Sequence, residues 1–175
     1  MRYWTEDVSK NMTESITSYI GKLEKSIIKE QGTISPRESE VSWIKNQAVL
    51  KSFFEYVSVI NDTIWKYKVT DIEPLQYTRY DKEQYYNWHI DEHSKPYANG
   101  LIRKLSFTIF LNEEYKGGEF QLTELDPREN RTYITIPKKK NSIVVFHSND
   151  WHRVKPVTEG IRYSLVGWVL GPKWK

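Results

Sequence analysis

Tyr85-Tyr86-Asn87-Trp88-His89-Ile90-Asp91 is the stretch on which the reading of this chain turns. Its aromatic and β-branched residues favour a strand, and successive side chains of a strand point to opposite faces. His89 and Asp91 then share a face, with Cα atoms about 6–7 Å apart at a rise of about 3.3 Å per residue. That separation lets both reach one ion. Tyr85 and Asn87 fall on the same face. Tyr86, Trp88 and Ile90 fall on the other, where they can pack against helices. Far downstream, His152 begins another predicted strand. Two imidazoles and one carboxylate can hold a metal from one side and leave its other side open, the donor set of a non-haem iron(II) oxygenase.

Beyond His152, Arg162 and Ser164 share one face of a predicted strand over 161–170, together with Val166 and Trp168. An arginine pointing into a barrel is costly unless an anion meets it. Its planar fork matches a carboxylate, and a serine hydroxyl can donate to the same oxygens. The competing reading of Arg162 is a buried salt bridge with an internal acidic residue. For His89 and Asp91 it is a pair of satisfied polar residues on strands. Two further histidines are available. His93 follows in a loop and is either exposed or near substrate. His147 ends a predicted strand before Ser148-Asn149-Asp150 and reads as structural.

Upstream, Ile16, Ile20, Leu23 and Ile27 recur at helical steps and predict an amphipathic helix over 13–30, with Thr13 as N-cap. Gly32 and Pro36 break it. A second helix is predicted from Ser42 to about Trp65, with Trp43, Val49, Leu50, Phe53, Phe54, Val57, Ile60, Ile64 and Trp65 on its apolar face and Asn61-Asp62 as an interruption. From Ile72 the pattern changes to alternation. It predicts strands near 72–80, 85–91, 102–112, 118–123, 131–136, 142–147, 151–157 and 161–170. Gly117-Gly118 and Asn130 sit at turns. Residues 92–101 have the composition of a loop, placed to act as a lid with Gly100 as its hinge. The expected fold class is α+β, with the N-terminal helices packed on one face of a β-sandwich or barrel. One domain is expected over 1–175, with 1–70 as mainly helical support and 71–175 as the β core.

Composition narrows the function classes. The 14% aromatic content argues for a packed globule rather than a disordered tail. A net charge of +3 with acidic residues interleaved does not predict nucleic-acid binding, and Lys138-Lys139-Lys140 reads as a solvated turn. With no cysteine, any metal must take nitrogen and oxygen ligands. Glu6, Asp7, Lys10 and Glu14 interrupt the first residues, which therefore lack the apolar core of a secretory signal. No stretch has the length of a membrane span. A soluble, cytoplasmic protein is expected, in the host cytoplasm if the chain is phage-encoded. The sequence is silent on oligomeric state.

The chain resembles the iron(II)- and 2-oxoglutarate-dependent dioxygenases of the prolyl 4-hydroxylase superfamily, in particular the bacterial and phage branch of PKHD-type hydroxylases. The resemblance rests on Gln76-Tyr77-Thr78-Arg79-Tyr80 leading to Tyr86-Asn87-Trp88-His89-Ile90-Asp91, then Leu105 to Asn112 with Gly117-Gly118-Glu119-Phe120. It continues through Val145-Phe146-His147-Ser148 and His152-Arg153-Val154-Lys155-Pro156-Val157, and ends at Gly160 to Val166. Arg37-Glu38-Ser39 and Val41-Ser42-Trp43, at the start of the predicted helix, share the family's look. The resemblance implies a double-stranded β-helix of the jelly-roll or cupin-like kind, with Fe(2+) at His89, Asp91 and His152. It implies 2-oxoglutarate held at its distal carboxylate by Arg162 and contacted by Tyr80, with Ser164 beside it. O2 would be the oxidant and ascorbate a candidate auxiliary reductant. The implied reaction converts 2-oxoglutarate to succinate and CO2 while hydroxylating a C–H bond. The implied substrate is a peptide or small molecule, with a prolyl or proline-like residue first among them. Collagen-type prolyl hydroxylases carry lysine where this chain has Arg162, a departure that weakens the transfer of their peptidyl-proline substrate to this chain. Tyr77, Tyr85, Tyr97 and Trp168 are candidates to line the pocket. The alternatives are a non-catalytic cupin-like module binding a metal or small acid, and a purely structural β-sandwich.

Overall fold

Strand alternation sorts the residues of this chain into two layers, one facing a helix and one facing a cavity. The computed structural model describes residues 3–28, 36–93 and 95–174. Its N-terminal part runs β1 (Tyr3–Asp7), a short helix α1 (Lys10–Glu14), β2 (Glu24–Ile28), β3 (Arg37–Ile44) and the long helix α2 (Gln47–Ile64). The remainder is β4 (Asp71–Ile72), β5 (Leu75–Tyr80), β6 (Tyr85–His89), β7 (Leu101–Phe110), β8 (Tyr115–Gly117), β9 (Phe120–Thr123), β10 (Ile134–Ile136), β11 (Ser142–His147), β12 (Trp151–Val154), β13 (Val157–Gly160) and β14 (Arg162–Pro172).

β5, β14, β7 and β11 pair in that order, all antiparallel, and β1 extends the layer beyond β11. β6, β12, β9 and β10 form the second antiparallel layer. β3 joins the two, pairing with β5 over Glu40–Ile44 and with β6 at Arg37 and Glu38. The result is the curled, double-stranded β-helix expected from the sequence.

On β7, Leu105, Phe107 and Ile109 face α2, while Ser106, Thr108 and Phe110 face inward. On β14, Leu165 and Val169 face the helix, and Arg162, Ser164, Val166 and Trp168 line the cavity. The period of two does this sorting without further instruction. Helix α2 is capped by Asn46, whose side chain accepts from the Val49 N–H at 3.1 Å. It buries Val49, Leu50, Phe53, Val57 and Ile60, each contributing about 1.5–3 kcal/mol. Phe53 stacks on Phe107 with ring centroids 6.0 Å apart.

The N-terminal expectations need correction. No helix spans 13–28: α1 ends at Glu14, a tight turn covers Thr17–Tyr19, and β2 follows, with positions 29 and 30 outside the described residues. Ser9 rather than Thr13 caps α1, accepting from the Met12 N–H at 3.3 Å. Ile16 is buried, but Ile27 is exposed on the outer side of β2, which pairs with β3. The helical spacing of these isoleucines is real, but pairing onto an available strand outweighed it. Ser42–Ile44 likewise lie on β3, and α2 starts only after its Asn46 cap. Asn61-Asp62 does not interrupt α2. The Asn61 amide instead bonds the backbone of Tyr67, accepting from its N–H and donating to its carbonyl. Among the described residues, no helix is long and apolar enough to cross a membrane.

Candidate metal centre and co-substrate pocket

His89 closes β6, and His152 lies on β12 directly across the ladder from it. Asp91 sits just beyond the strand rather than on it. Its N–H donates to the Ser148 carbonyl at 2.9 Å, and the Glu92 N–H donates to the same oxygen. One ligand atom from each of His89, Asp91 and His152 falls within 4.8 Å of the others. His89 Nε2 lies 3.7 Å from Asp91 Oδ1, and His152 Nε2 lies 3.3 Å from Asp91 Oδ2.

Both imidazoles are oriented from behind. His89 Nδ1 meets the Asn87 carbonyl at 2.7 Å, and His152 Nδ1 meets the Asp150 carbonyl at 3.0 Å. A carbonyl only accepts, so each Nδ1 carries a proton and each Nε2 is turned toward the shared centre. Asp91 is held in turn by Ser106, whose hydroxyl donates to Oδ2 at 2.8 Å and lies 2.9 Å from the Ser148 hydroxyl. Such outer partners fix ligand geometry as surely as the ligands themselves.

The three groups share charge unequally. Burial and the neighbouring His152 push His89 well below the usual histidine range, so it is neutral. Burial also works against a charge on His152, but Asp91 raises its pKa on balance. Burial would raise Asp91, yet His152, His89 and Arg103 together hold its carboxyl well below the ordinary range. The centre is therefore a carboxylate beside imidazole nitrogens, a nitrogen–oxygen donor set suited to a borderline divalent ion such as iron(II).

The cavity continues to Arg162 on β14, which is 1% exposed. Its Nη1 donates to Ser164 Oγ at 2.9 Å, while Nε and Nη2 are buried with no hydrogen-bond partner. The expected competitor, an internal salt bridge, is absent among the described residues. Tyr80, opposite Arg162 in the β5–β14 register, presents its ring 5.3 Å from the guanidinium, and Phe110 presents its own at 5.6 Å. Tyr115 brings a buried hydroxyl to this end, its pKa raised by burial against the opposing pull of Arg162. Gly118 is what allows the approach: its φ is +61°, and a Cβ there would stand 3.1 Å from Arg162 Cδ. A buried cation with two idle N–H donors fits one carboxylate of a dicarboxylic acid.

The family profile of the 2OG-Fe(II) oxygenase superfamily matches residues 75–170, which contain all of these groups. The chain belongs to that superfamily. Its members use iron(II), 2-oxoglutarate and O2. A PKHD-type hydroxylase of Gloeothece citriformis is 36% identical over 106 residues, covering 56% of this chain and 43% of that protein. The chain spans less than half the length of such relatives. A prolyl-4-hydroxylase from Pseudomonas putida superimposes with a TM-score of 0.70 at 19% identity, covering 95% of this chain and 91% of that one. A Trichoplax adhaerens prolyl hydroxylase, solved with a hypoxia inducible factor oxygen degradation domain peptide fragment, gives 0.63 at 18%, covering 95% and 82%. These likenesses show a shared fold.

The six residues singled out from the sequence, His89, Asp91, His152, Arg162, Ser164 and Tyr80, all lie around this one cavity. Other expectations fail. Tyr86 does not face away from His89. A register irregularity between β6 and β12 places both on the cavity side, with rings stacked 3.5 Å apart. Of the four aromatics expected to line the pocket, only Trp168 is among its lining residues; Tyr77 stacks on Tyr163 at 5.9 Å instead. Tyr97 donates to Glu73 Oε1 at 2.7 Å, anchoring the 92–101 loop. His147 points out of the cavity and stacks on Trp174, in keeping with a structural role. Sequence reasoning did not find Tyr115, Arg103 or Arg37. Tyr115 stands beside the quoted Gly117-Gly118, which was the available signal.

Proposed function

We propose that this chain is an Fe(II)- and 2-oxoglutarate-dependent hydroxylase, with His89, Asp91 and His152 as the iron ligands and Arg162 as the co-substrate anchor. The observation that carries the reading is the meeting, in one cavity, of a convergent His–Asp–His set with a buried arginine that has two unpartnered N–H groups. When bound there, iron(II) with 2-oxoglutarate and O2 supplies the oxidising chemistry, turning the 2-oxo acid to succinate and CO2 while an oxygen atom enters a substrate C–H bond.

The protein's own residues bind, orient and exclude. His89 and His152 present preset lone pairs, and Asp91 adds the negative charge that keeps a divalent ion. Arg162 holds the distal carboxylate of the co-substrate, with Ser164 fixing the guanidinium plane and Tyr80 walling it. Phe120, Phe146 and Val154 line the space between them and keep water from the reacting atoms.

The relatives named as hydroxylases, and the peptide held by the Trichoplax neighbour, support a peptide substrate with a prolyl or proline-like residue as the site of oxidation. The test is anaerobic reconstitution with iron(II) and 2-oxoglutarate, followed by oxygen, with succinate measured against proline-containing peptides and free amino acids. Iron-dependent succinate is expected. Tight binding of metal and 2-oxoglutarate without any succinate would instead make the chain a binding module.

A further inference from the structure

Three arginines line the cavity, and they differ in what neutralises them. Arg103 is closed by a two-pronged pair with Glu73, Nε to Oε1 and Nη2 to Oε2, each 2.7 Å. Arg162 belongs to the co-substrate end. Arg37 is 7% exposed and, among the described residues, is held only by neutral acceptors. Its Nε donates to Ser39 Oγ at 2.8 Å and its Nη2 to Gln76 Oε1 at 2.8 Å. Thr78 Oγ1 donates to the same Gln76 oxygen at 3.3 Å, so the contact is fixed from behind. Among the described residues, no carboxylate pairs with Arg37. Burying an unneutralised guanidinium is expensive, and this one is positioned rather than compensated.

Its place in the cavity decides what it can meet. Along β5, Tyr80 pairs with Arg162 and Gln76 pairs with Val166. The strand positions of Tyr80 and Gln76 are therefore about 13 Å apart at about 3.3 Å per residue. A five-carbon diacid is roughly 6 Å long at about 1.5 Å per bond, so one held at Arg162 does not extend to the Gln76 end. Yet Arg37 is close to the metal side. Its guanidinium lies 4.9 Å from the centre of the Tyr86 ring, which itself stacks on His89. Trp43 and Trp168 complete this end, and the buried Trp168 indole N–H has no partner. The end thus offers a cation, an idle N–H donor and an aromatic wall.

Resting on the hydroxylase reading above, we propose that Arg37 is a specificity-determining residue that binds a carboxylate carried by the substrate. Its chemistry is a carboxylate attached to an apolar or ring-bearing body. Two sources share it: an acidic side chain beside the oxidised residue of a peptide, and the free α-carboxylate of an amino acid. The Trp43 and Trp168 rings take the body, and Arg37 sets which end enters first.

The test is an anaerobic titration with iron(II) and 2-oxoglutarate present, read by intrinsic tryptophan fluorescence. The probes are acetyl-Ala-Pro-Asp-Ala-amide and acetyl-Ala-Asp-Pro-Ala-amide against their asparagine counterparts, and L-proline against L-prolinamide. One carboxylate-bearing probe should bind at least about tenfold tighter than its amide twin, and the pair that differs identifies the source. Arg37→Gln should abolish the difference and leave 2-oxoglutarate affinity unchanged. Arg37→Lys, which keeps charge but loses the fork, should retain part of it. The proposal is overturned if no carboxylate-bearing probe is preferred, if the preference survives in Arg37→Gln, or if that variant weakens 2-oxoglutarate instead. Should Arg37→Gln fail to fold, an undiminished preference in Arg37→Lys overturns it equally. Admitting oxygen at the end tests the hydroxylase reading separately. Absence of succinate would sink that reading while leaving the measured charge preference intact.

Discussion

His89 and His152 are register partners across the β6–β12 ladder, with ring centroids 4.0 Å apart. Each is tied through Nδ1 to a backbone carbonyl two residues away in its own chain segment. The two imidazoles are thus oriented by local hydrogen bonds and brought together by strand pairing. The carboxylate joins them from outside the strand, so its removal tests the centre without touching the ladder.

Asp91→Ala should leave the far-ultraviolet circular dichroism spectrum unchanged and abolish metal-induced stabilisation. For the unmodified chain, a divalent ion at about a hundred times its Kd should add about 2.7 kcal/mol and raise Tm. A thermal melt with and without manganese(II) reads this directly. An undiminished shift in the variant would remove Asp91 from the ligand set.

Arg162→Ala should raise the 2-oxoglutarate concentration needed for half-saturation by about tenfold or more, corresponding to the loss of about 1.5–3 kcal/mol of charged hydrogen bonding. Metal affinity should not move, because Arg162 touches none of the three ligands. Calorimetric titration of the metal-loaded protein separates the two constants. Equal weakening of both would mean that the variant has disturbed the cavity as a whole.

Ser106→Ala removes the hydroxyl that donates to Asp91 Oδ2 and leaves the Ser148 hydroxyl without its neighbour. Metal affinity should fall by about tenfold or more, the usual cost of losing a partner behind a ligand. Ser106→Thr, which keeps the hydroxyl, should recover part of it. Affinity unchanged in the alanine variant would show that the backbone bond from Asp91 to Ser148 alone positions the carboxylate.

Gly118→Ala forces a side chain onto a backbone at φ +61° and brings its Cβ to 3.1 Å from Arg162 Cδ, Tyr115 Cε2 and Val157 Cγ2. The φ strain alone should cost about 1 kcal/mol in urea denaturation. The displaced guanidinium should also lose 2-oxoglutarate affinity. Loss of stability with co-substrate binding fully retained would show that Arg162 has room to move.

The β portion was legible because its signal is local. Phe107 and Ile109 alternate with Ser106 and Thr108 in a way that only a strand exposed to two environments explains. The convergence of the candidate site residues was legible for the same reason, with His89, Asp91, His152 and Arg162 each at a strand end or on a predicted inward face. The N-terminal region was not. Ile16, Ile20, Leu23 and Ile27 satisfy a helical period, and nothing in them reveals that β3 stands ready as a pairing partner for Glu24–Ile28. Tyr86 was assigned to the wrong face because a register irregularity is invisible until both strands are paired. Arg37 was assigned to the start of a helix, and its burial against Gln76 exists only once β3 bridges the two layers.

Strand β14 carries Arg162 at one end of the cavity and Trp168 at the other, and it is paired on both sides, by β5 and by β7. Pairing on both sides restrains it along its length. The spacing between the two ends of the cavity is therefore written into a single continuous segment. On the proposed reading, a change of target is cheapest on β3, which lines the cavity without carrying any of the three candidate ligands.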